Sequence, residues 1–169
     1  VLELFHLTTT DIPGFLAEQD LVFVSGGNTR NLLVLWREWG LDVALKEAIN
    51  GGLIVGGVSA GANCWFESFS TDSNPGGLSA WQGLGWLNGS FCPHYDEEVD
   101  RKPSLTAMMA RGEIGAGYAA DGGAGILFRN GVVEGVISAR QGAKGYRVSW
   151  TPESGLCEDP LPVLAHLPS

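Results

Sequence analysis

The sequence predicts an α/β domain: a mostly parallel sheet with helices on both faces, closed by an antiparallel β-hairpin near the C-terminus. Three observations carry this. Leu21 to Val24 and Leu53 to Val58 are apolar runs that stop at or contain paired glycines, and amphipathic stretches lie between them. Continuous apolar runs read as strands buried on both faces, and parallel strands need a crossover, usually a helix. In the last third, short β-type runs flank Asn130-Gly131, a dipeptide suited to tight hairpin turns. The 169 residues are 44% hydrophobic and 17% charged, which fits one globular domain over positions 1–169, and no internal repeat or second-domain linker stands out.

Taken in order, Val1 to Leu7 is an apolar stretch with one Glu and reads as a first strand. Asp11, Pro13 and the run Phe15 to Gln19 fit a short capped helix. Leu21 to Val24 is the next strand, and after Gly26-Gly27 the residues Asn28 and Thr29 are N-cap candidates. Leu32, Leu33, Leu35, Trp36 and Trp39 then fall on one helical face. A second amphipathic piece, Leu41 to Ile49, ends at Asn50-Gly51-Gly52, and Leu53 to Val58 follows as a strand. Ala60 to Glu67 can form a helix, and Phe69 to Gly89 dissolves into turn-forming residues, as expected of a long functional loop. Pro103 to Ala110 reads as a helix with Pro near its start. Strands are expected at Ile126 to Phe128, Val132 to Ile137 and Tyr146 to Trp150, and an irregular, proline-containing tail from Thr151.

Charge and composition narrow the function. Ten basic against nineteen acidic residues leave a formal charge of -9, so a phosphate backbone would be repelled. No apolar run reaches the roughly 18 residues of a membrane span, and the first residues lack the basic start and cleavage site of a signal peptide. A soluble, cytoplasmic protein is the expectation. Cys64, Cys92 and Cys157 form no CxxC pair and read as free thiols. His6, His94 and His166 are too few and too scattered for an imidazole metal site.

The strongest motif is Gly57-Val58-Ser59-Ala60-Gly61, a G-x-S-x-G between an expected strand and an expected helix. Such a turn exposes the serine hydroxyl at the carboxyl end of the strand, where open α/β sheets place their sites, with the Ala60 amide facing the same space as an oxyanion donor. The alternative for these residues is a strand-to-helix joint whose serine merely caps the helix. A serine nucleophile needs a base, and His94, in Cys92-Pro93-His94-Tyr95-Asp96, is the best placed of the histidines. The orienting carboxylate is Asp121, which ends an apolar run before Gly122-Gly123, or Asp72, in the loop between Ser59 and His94. Gly26-Gly27-Asn28-Thr29 is a second glycine-rich joint whose amides can hold an anion or supply the second oxyanion donor; it lacks the Lys of a P-loop. The run Asp96-Glu97-Glu98 reads either as a site for a substrate amine or as a solvated face.

Together, VFVSGGNTRNLL (22–33), GGVSAGANCW (56–65), CPHYD (92–96) and YAADGGAG (118–125) resemble the S51 serine peptidases, the family of aspartyl dipeptidases and cyanophycinase. The resemblance implies a class I glutamine-amidotransferase-like, flavodoxin-like fold. It implies Ser59 as nucleophile, His94 as base, Gly27 and Ala60 as oxyanion donors, and a dipeptide substrate with N-terminal Asp; no cofactor or metal is required. The family's acid looks like a Glu where Asp121 stands, a side chain one methylene longer, which keeps Asp72 as the alternative. Substrate binding falls to Asn28 and to a cation for the substrate carboxylate, Arg101 or else Arg30. The family normally begins with a further βα region, so the N-terminal part of the domain is expected to be missing, leaving one sheet edge uncovered. The implied partner is a small peptide, with no nucleic acid and no membrane, and a homodimer stays open.

Overall fold

The structure, a computed structural model, describes residues 1–167 and divides the chain into two compact units, one ending at Cys64 and the other starting at Trp65. The first unit runs α1 (Ile12–Ala17), β1 (Leu21–Val24), α2 (Thr29–Glu38), α3 (Leu41–Asn50), β2 (Ile54–Gly57) and α4 (Ala60–Asn63). Its elements follow from local chemistry. Asp11 caps α1 by accepting from the Gly14 amide at 2.9 Å, and Asn28 caps α2 by accepting from the Asn31 amide at 2.9 Å. Strands β1 and β2 pair in parallel, Val24 opposite Gly57. Ile12, Leu16, Leu33, Trp36, Leu41 and Leu45 are among its buried apolar side chains.

Two expectations for this unit are corrected. Val1 to Leu7 is not a strand: the stretch is turn and coil, with Val1 and Phe5 exposed. β propensity alone forms no strand without a neighbour to pair with. Strands β1 and β2 are not buried on both faces either. Val22, Val24 and Val55 are half-buried, whereas Leu21, Phe23 and Ile54 on the other face are more than half exposed.

The second unit contains β3 (Phe66–Thr71), β4 (Ser79–Gln82), β5 (Leu87–Cys92), α5 (Arg101–Ala110), β6 (Gly117–Ala120), β7 (Ala124–Arg129), β8 (Val132–Ser138), β9 (Gly145–Thr151), β10 (Gly155–Pro160) and β11 (Val163–His166). Six strands form one sheet in the order β10-β9-β6-β5-β3-β4, and β11-β8-β7 form another. Helix α5 packs Leu105, Met108 and Met109 into a core with Cys92, Tyr95, Ile114, Ala119 and Val148. The expected hairpin is present: β7 and β8 are antiparallel, joined by Asn130 at φ 51° and Gly131 at φ 77°, the left-handed pair that a type I′ turn requires.

The α/β class holds, but the single, mostly parallel sheet is corrected to several sheets of mixed direction. Among the described residues β1/β2, β3/β5, β5/β6 and β8/β11 are parallel, and β3/β4, β6/β9, β9/β10 and β7/β8 are antiparallel. Short connections such as Asn130-Gly131 and 152–154 leave no room for a crossover, so they dictate antiparallel neighbours. The helix expected over Ala60 to Glu67 stops at Asn63, because Trp65, Phe66 and Phe69 go into strand packing, with Phe66 stacked on Phe91 at 4.9 Å. The expected loop from Phe69 to Gly89 is interrupted by strand: it holds the end of β3, all of β4 and the start of β5, with loop at 72–78 and 83–86. The buried strand residues Ser68, Ser70 and Thr71 are polar, and this disguised the strand. The tail is not irregular: β10 and β11 are outer strands, where proline does least damage to a ladder.

Candidate active site

In the first unit, Ser59 sits between the end of β2 and the start of α4 with φ 54° and ψ -114°, a conformation costly for any residue with a Cβ. Its neighbours explain how the turn closes. A methyl group on Gly57 would stand 2.1 Å from the Gly61 carbonyl oxygen, and one on Gly61 would stand 2.2 Å from the Val24 carbonyl oxygen. Glycine is required at both positions because backbone passes against backbone. The Ser59 side chain makes no capping hydrogen bond to α4, which removes the reading of this serine as a mere helix cap. The Gly26-Gly27 loop lies beside it: a Cβ on Gly26 would be 3.3 Å from Ser59 Cβ and 3.8 Å from its Oγ. Gly27 itself has φ 138°. Thus Gly27, Ser59 and Ala60 belong to one corner of one unit. Asn28, adjoining that corner, uses its Oδ1 to cap α2.

The thiols are placed differently. Cys64 is buried, bonded to the Gly61 carbonyl at 3.3 Å, and burial pushes its pKa well up; burial likewise pushes Cys92 up to about 12 despite the nearby Arg101 charge. Neither is the thiolate that a cysteine nucleophile requires.

In the second unit the parallel pairing of β5 and β6, Cys92 opposite Ala119, brings the loops after both strands to the same end of the sheet. His94 follows β5, Asp121 follows β6, and the Tyr95 amide donates to the Ala120 carbonyl at 3.0 Å. His94 is held at φ 54°. Its Nδ1 is hydrogen-bonded to Glu97 Oε2 at 2.8 Å, and Nε2 has no partner among the described residues.

The two carboxylates expected to orient the histidine do other things. Asp121, only 7% exposed, accepts from the Lys144 amide at 2.9 Å and from the Tyr146 hydroxyl at 3.4 Å. Burial raises its carboxyl above the usual range against those hydrogen bonds, with the Asp96 charge pushing the same way. Asp72 lines an open cleft of about 570 Å³ with Gly77, Leu78, Glu98 and Asp100. Neither is bonded to His94.

Arg101 does not present a cation to a substrate: its side chain is 3% exposed, bonds Glu98 at 2.7 Å through Nε and donates to the Ser70 carbonyl at 3.3 Å. It is a buried strut between α5 and β3. Arg30 is exposed in the first turn of α2.

Asp96 ties the two loops together. Its Oδ1 accepts from the Gly122 amide at 2.8 Å, its Oδ2 is paired with Arg140, and Arg140 Nε donates to the Gly122 carbonyl at 2.7 Å. Desolvation works against the charged form, but the Gly122 amide and the Arg140 guanidinium prevail and hold the Asp96 carboxyl below the usual carboxylate range. A folded-state pKa below the unfolded one stabilises above the unfolded value, about 3.9, and that contribution fades as pH falls through the folded value. Asp96→Asn is therefore expected to lower the melting temperature near neutrality, with the gap to wild type narrowing below about pH 5. Thermal unfolding at a series of pH values checks this; a gap that widens on acidification contradicts it.

Glu97 is the residue that sequence reasoning missed as a partner of His94. Its signal was its place three residues after the histidine, but an acidic run on a loop is usually solvated, and what makes Glu97 different is the β6 loop against it.

A model of Peptidase family S51 matches residues 1–136. A Bacillus subtilis (strain 168) protein named Uncharacterized peptidase YgaJ is 50% identical over 162 residues, covering 96% of this chain and 70% of its own length. A Streptomyces coelicolor protein named Peptidase E is 38% identical over 93 residues, 54% of this chain and 37% of its own. Among solved structures, one described as a peptidase E protein from Listeria monocytogenes EGD-e matches with TM-score 0.56 and 26% identity, over 77% of this chain and 64% of that one. The chain thus spans less than two thirds of that structure's length. No helix among the described residues is long and apolar enough to cross a membrane.

Proposed function

Since the chain belongs to peptidase family S51, we propose that it is a serine-type exopeptidase that removes an N-terminal residue, Asp by preference, from a dipeptide. The observation that carries the reading is the Ser59 turn: a hydroxyl that caps nothing, held in a strained conformation by glycines with no room for a side chain. Strain of this kind is maintained where it serves a site, and in this reading the turn is a nucleophile elbow.

Ser59 Oγ attacks the carbonyl carbon while His94 Nε2 takes its proton, and the oxyanion is held by the Gly27 and Ala60 amides. The intermediate collapses to an acyl-serine as the imidazolium gives its proton to the departing amine. Water, deprotonated by the same nitrogen, then releases the acid. Each oxyanion donor is worth about 3 kcal/mol of barrier. No step needs a metal or cofactor. Since Arg101 is buried, the candidate cation for a substrate carboxylate is Arg30, exposed in the first turn of α2. The buried free thiols suit the cytoplasm, the proposed location.

Free dipeptides with Asp, Glu, Asn, Ala and Leu first, followed by amine release, test the reading. Fastest cleavage of the Asp dipeptide, lost when its amine is acetylated, is expected. Equal cleavage across the panel removes the Asp preference, and none at all removes the dipeptidase.

A further inference from the structure

We propose that Glu97 is the carboxylate that positions His94 for proton transfer, lodged in the space that a side chain at position 122 would occupy. The inference rests on His94 being the base of the proposed reaction. One oxygen of the carboxylate, Oε2, meets His94 Nδ1 at 2.8 Å. The other is packed on the β6 loop: a methyl group on Gly122 would stand 2.0 Å from Glu97 Oε1 and 2.1 Å from its Cδ. Gly122 is not among the glycines in the left-handed region, so its backbone conformation does not call for glycine. What makes room for the Glu97 carboxylate in this place is the absence of a side chain at position 122.

The backbone of Gly122 is fixed from both sides, its amide by Asp96 and its carbonyl by Arg140. The seat for Glu97 is thus built by the same loop contact that brings β5 and β6 ends together. With side-chain exposures of 31% for His94 and 51% for Glu97, an ion pair here contributes little to stability. Its value is geometric. A carboxylate accepting from Nδ1–H fixes the tautomer with the lone pair on Nε2, and favours the imidazolium that forms as a nucleophile loses its proton. Asp121 is not bonded to His94; its Oδ2 accepts from the Lys144 amide and the Tyr146 hydroxyl.

The test uses the full chain with Glu97→Gln, Glu97→Asp and Gly122→Ala, measuring dipeptide kinetics and, by NMR of the ring nitrogens, which His94 tautomer is present. Glu97→Gln keeps the shape and removes the charge. It should lower kcat by between about 100-fold and 10⁴-fold with KM little changed, and shift the His94 tautomer away from Nδ1–H. Glu97→Asp should recover part of both. Gly122→Ala, which leaves Glu97 in the sequence but takes its seat, should shift the tautomer in the same direction. The proposal is overturned if the His94 tautomer is unchanged in Glu97→Gln and Gly122→Ala, or if Asp121→Asn changes it instead. Should wild type cleave no dipeptide, the substrate reading fails while the tautomer, and the rate at which a fluorophosphonate labels Ser59, still decide the role of Glu97.

Discussion

Ser59→Ala is expected to bring hydrolysis down to background, a loss of the order of 10⁶-fold in kcat, and to abolish labelling by a fluorophosphonate, while leaving the fold intact. The size follows from the chemistry: without a hydroxyl no acyl intermediate forms, and what remains is whatever two backbone donors do for a bound water. The harmlessness to the fold follows from the structure. The hydroxyl makes no capping bond, so its removal orphans nothing, and a substitution of that kind usually falls within about 0.5 kcal/mol. Ser59→Gly sharpens the argument. Alanine keeps a Cβ and so keeps the strain of φ 54°, ψ -114°, whereas glycine relieves it and should raise the unfolding free energy by about 1 kcal/mol, in an equally dead protein. Turnover and labelling that survive in Ser59→Ala would remove the serine peptidase reading outright. A glycine variant less stable than wild type would show that the turn is not strained as described.

The legible parts of this molecule were those fixed by near neighbours in sequence. The Asn28 cap, Leu33 and Trp36 on the buried face of α2, the Asn130-Gly131 hairpin and the glycines around Ser59 are decided within a few residues, and each is found where local chemistry puts it, whereas Trp39, expected on the same face, lies past the helix end and is exposed. Features set by distant partners were not. Thr71 and Ser70 lie in a buried strand because β4 and β5 flank it on either side, which no local property of a Ser/Thr stretch announces. Arg101 was expected to meet a substrate carboxylate, but Glu98 and the Ser70 carbonyl draw its guanidinium inward. The candidate acid failed to show itself for the same reason. Asp121 has the right position in the chain, yet its Oδ2 accepts from Lys144 and Tyr146 rather than from His94, and the Glu97 carboxylate fits where it does because a residue 25 positions later has no side chain.

The largest structural effect is expected from Gly61→Ala. The new methyl would stand 2.2 Å from the Val24 carbonyl oxygen, 2.7 Å from its carbon and 2.8 Å from Val24 Cβ, all in the last residue of β1. Had the obstruction been the tip of a flexible side chain, a rotamer change would absorb it. Here it is backbone, and the same Val24 carbonyl accepts from the Val58 amide at 3.1 Å, one residue before the serine. Moving the carbonyl away breaks that bond and pulls Val24 from its register with Gly57; moving Gly61 away unwinds the start of α4. Overpacking a side chain typically costs about 1–3 kcal/mol, so a contact in which neither partner can yield should cost more than about 3 kcal/mol. That is a large part of the 5–15 kcal/mol that holds a typical domain together. The measurable result is a sharp fall in the urea midpoint and in soluble yield, with activity lost in whatever folds because the Ser59 hydroxyl is misplaced. Gly115→Ala is the control: no atom lies within 4 Å of the added carbon and its backbone is not left-handed, so it should stay within about 0.5 kcal/mol of wild type. If both variants unfold together, the loss at position 61 is a generic cost of replacing glycine; if neither does, the close approach of β1 to the serine turn is not a constraint on the fold.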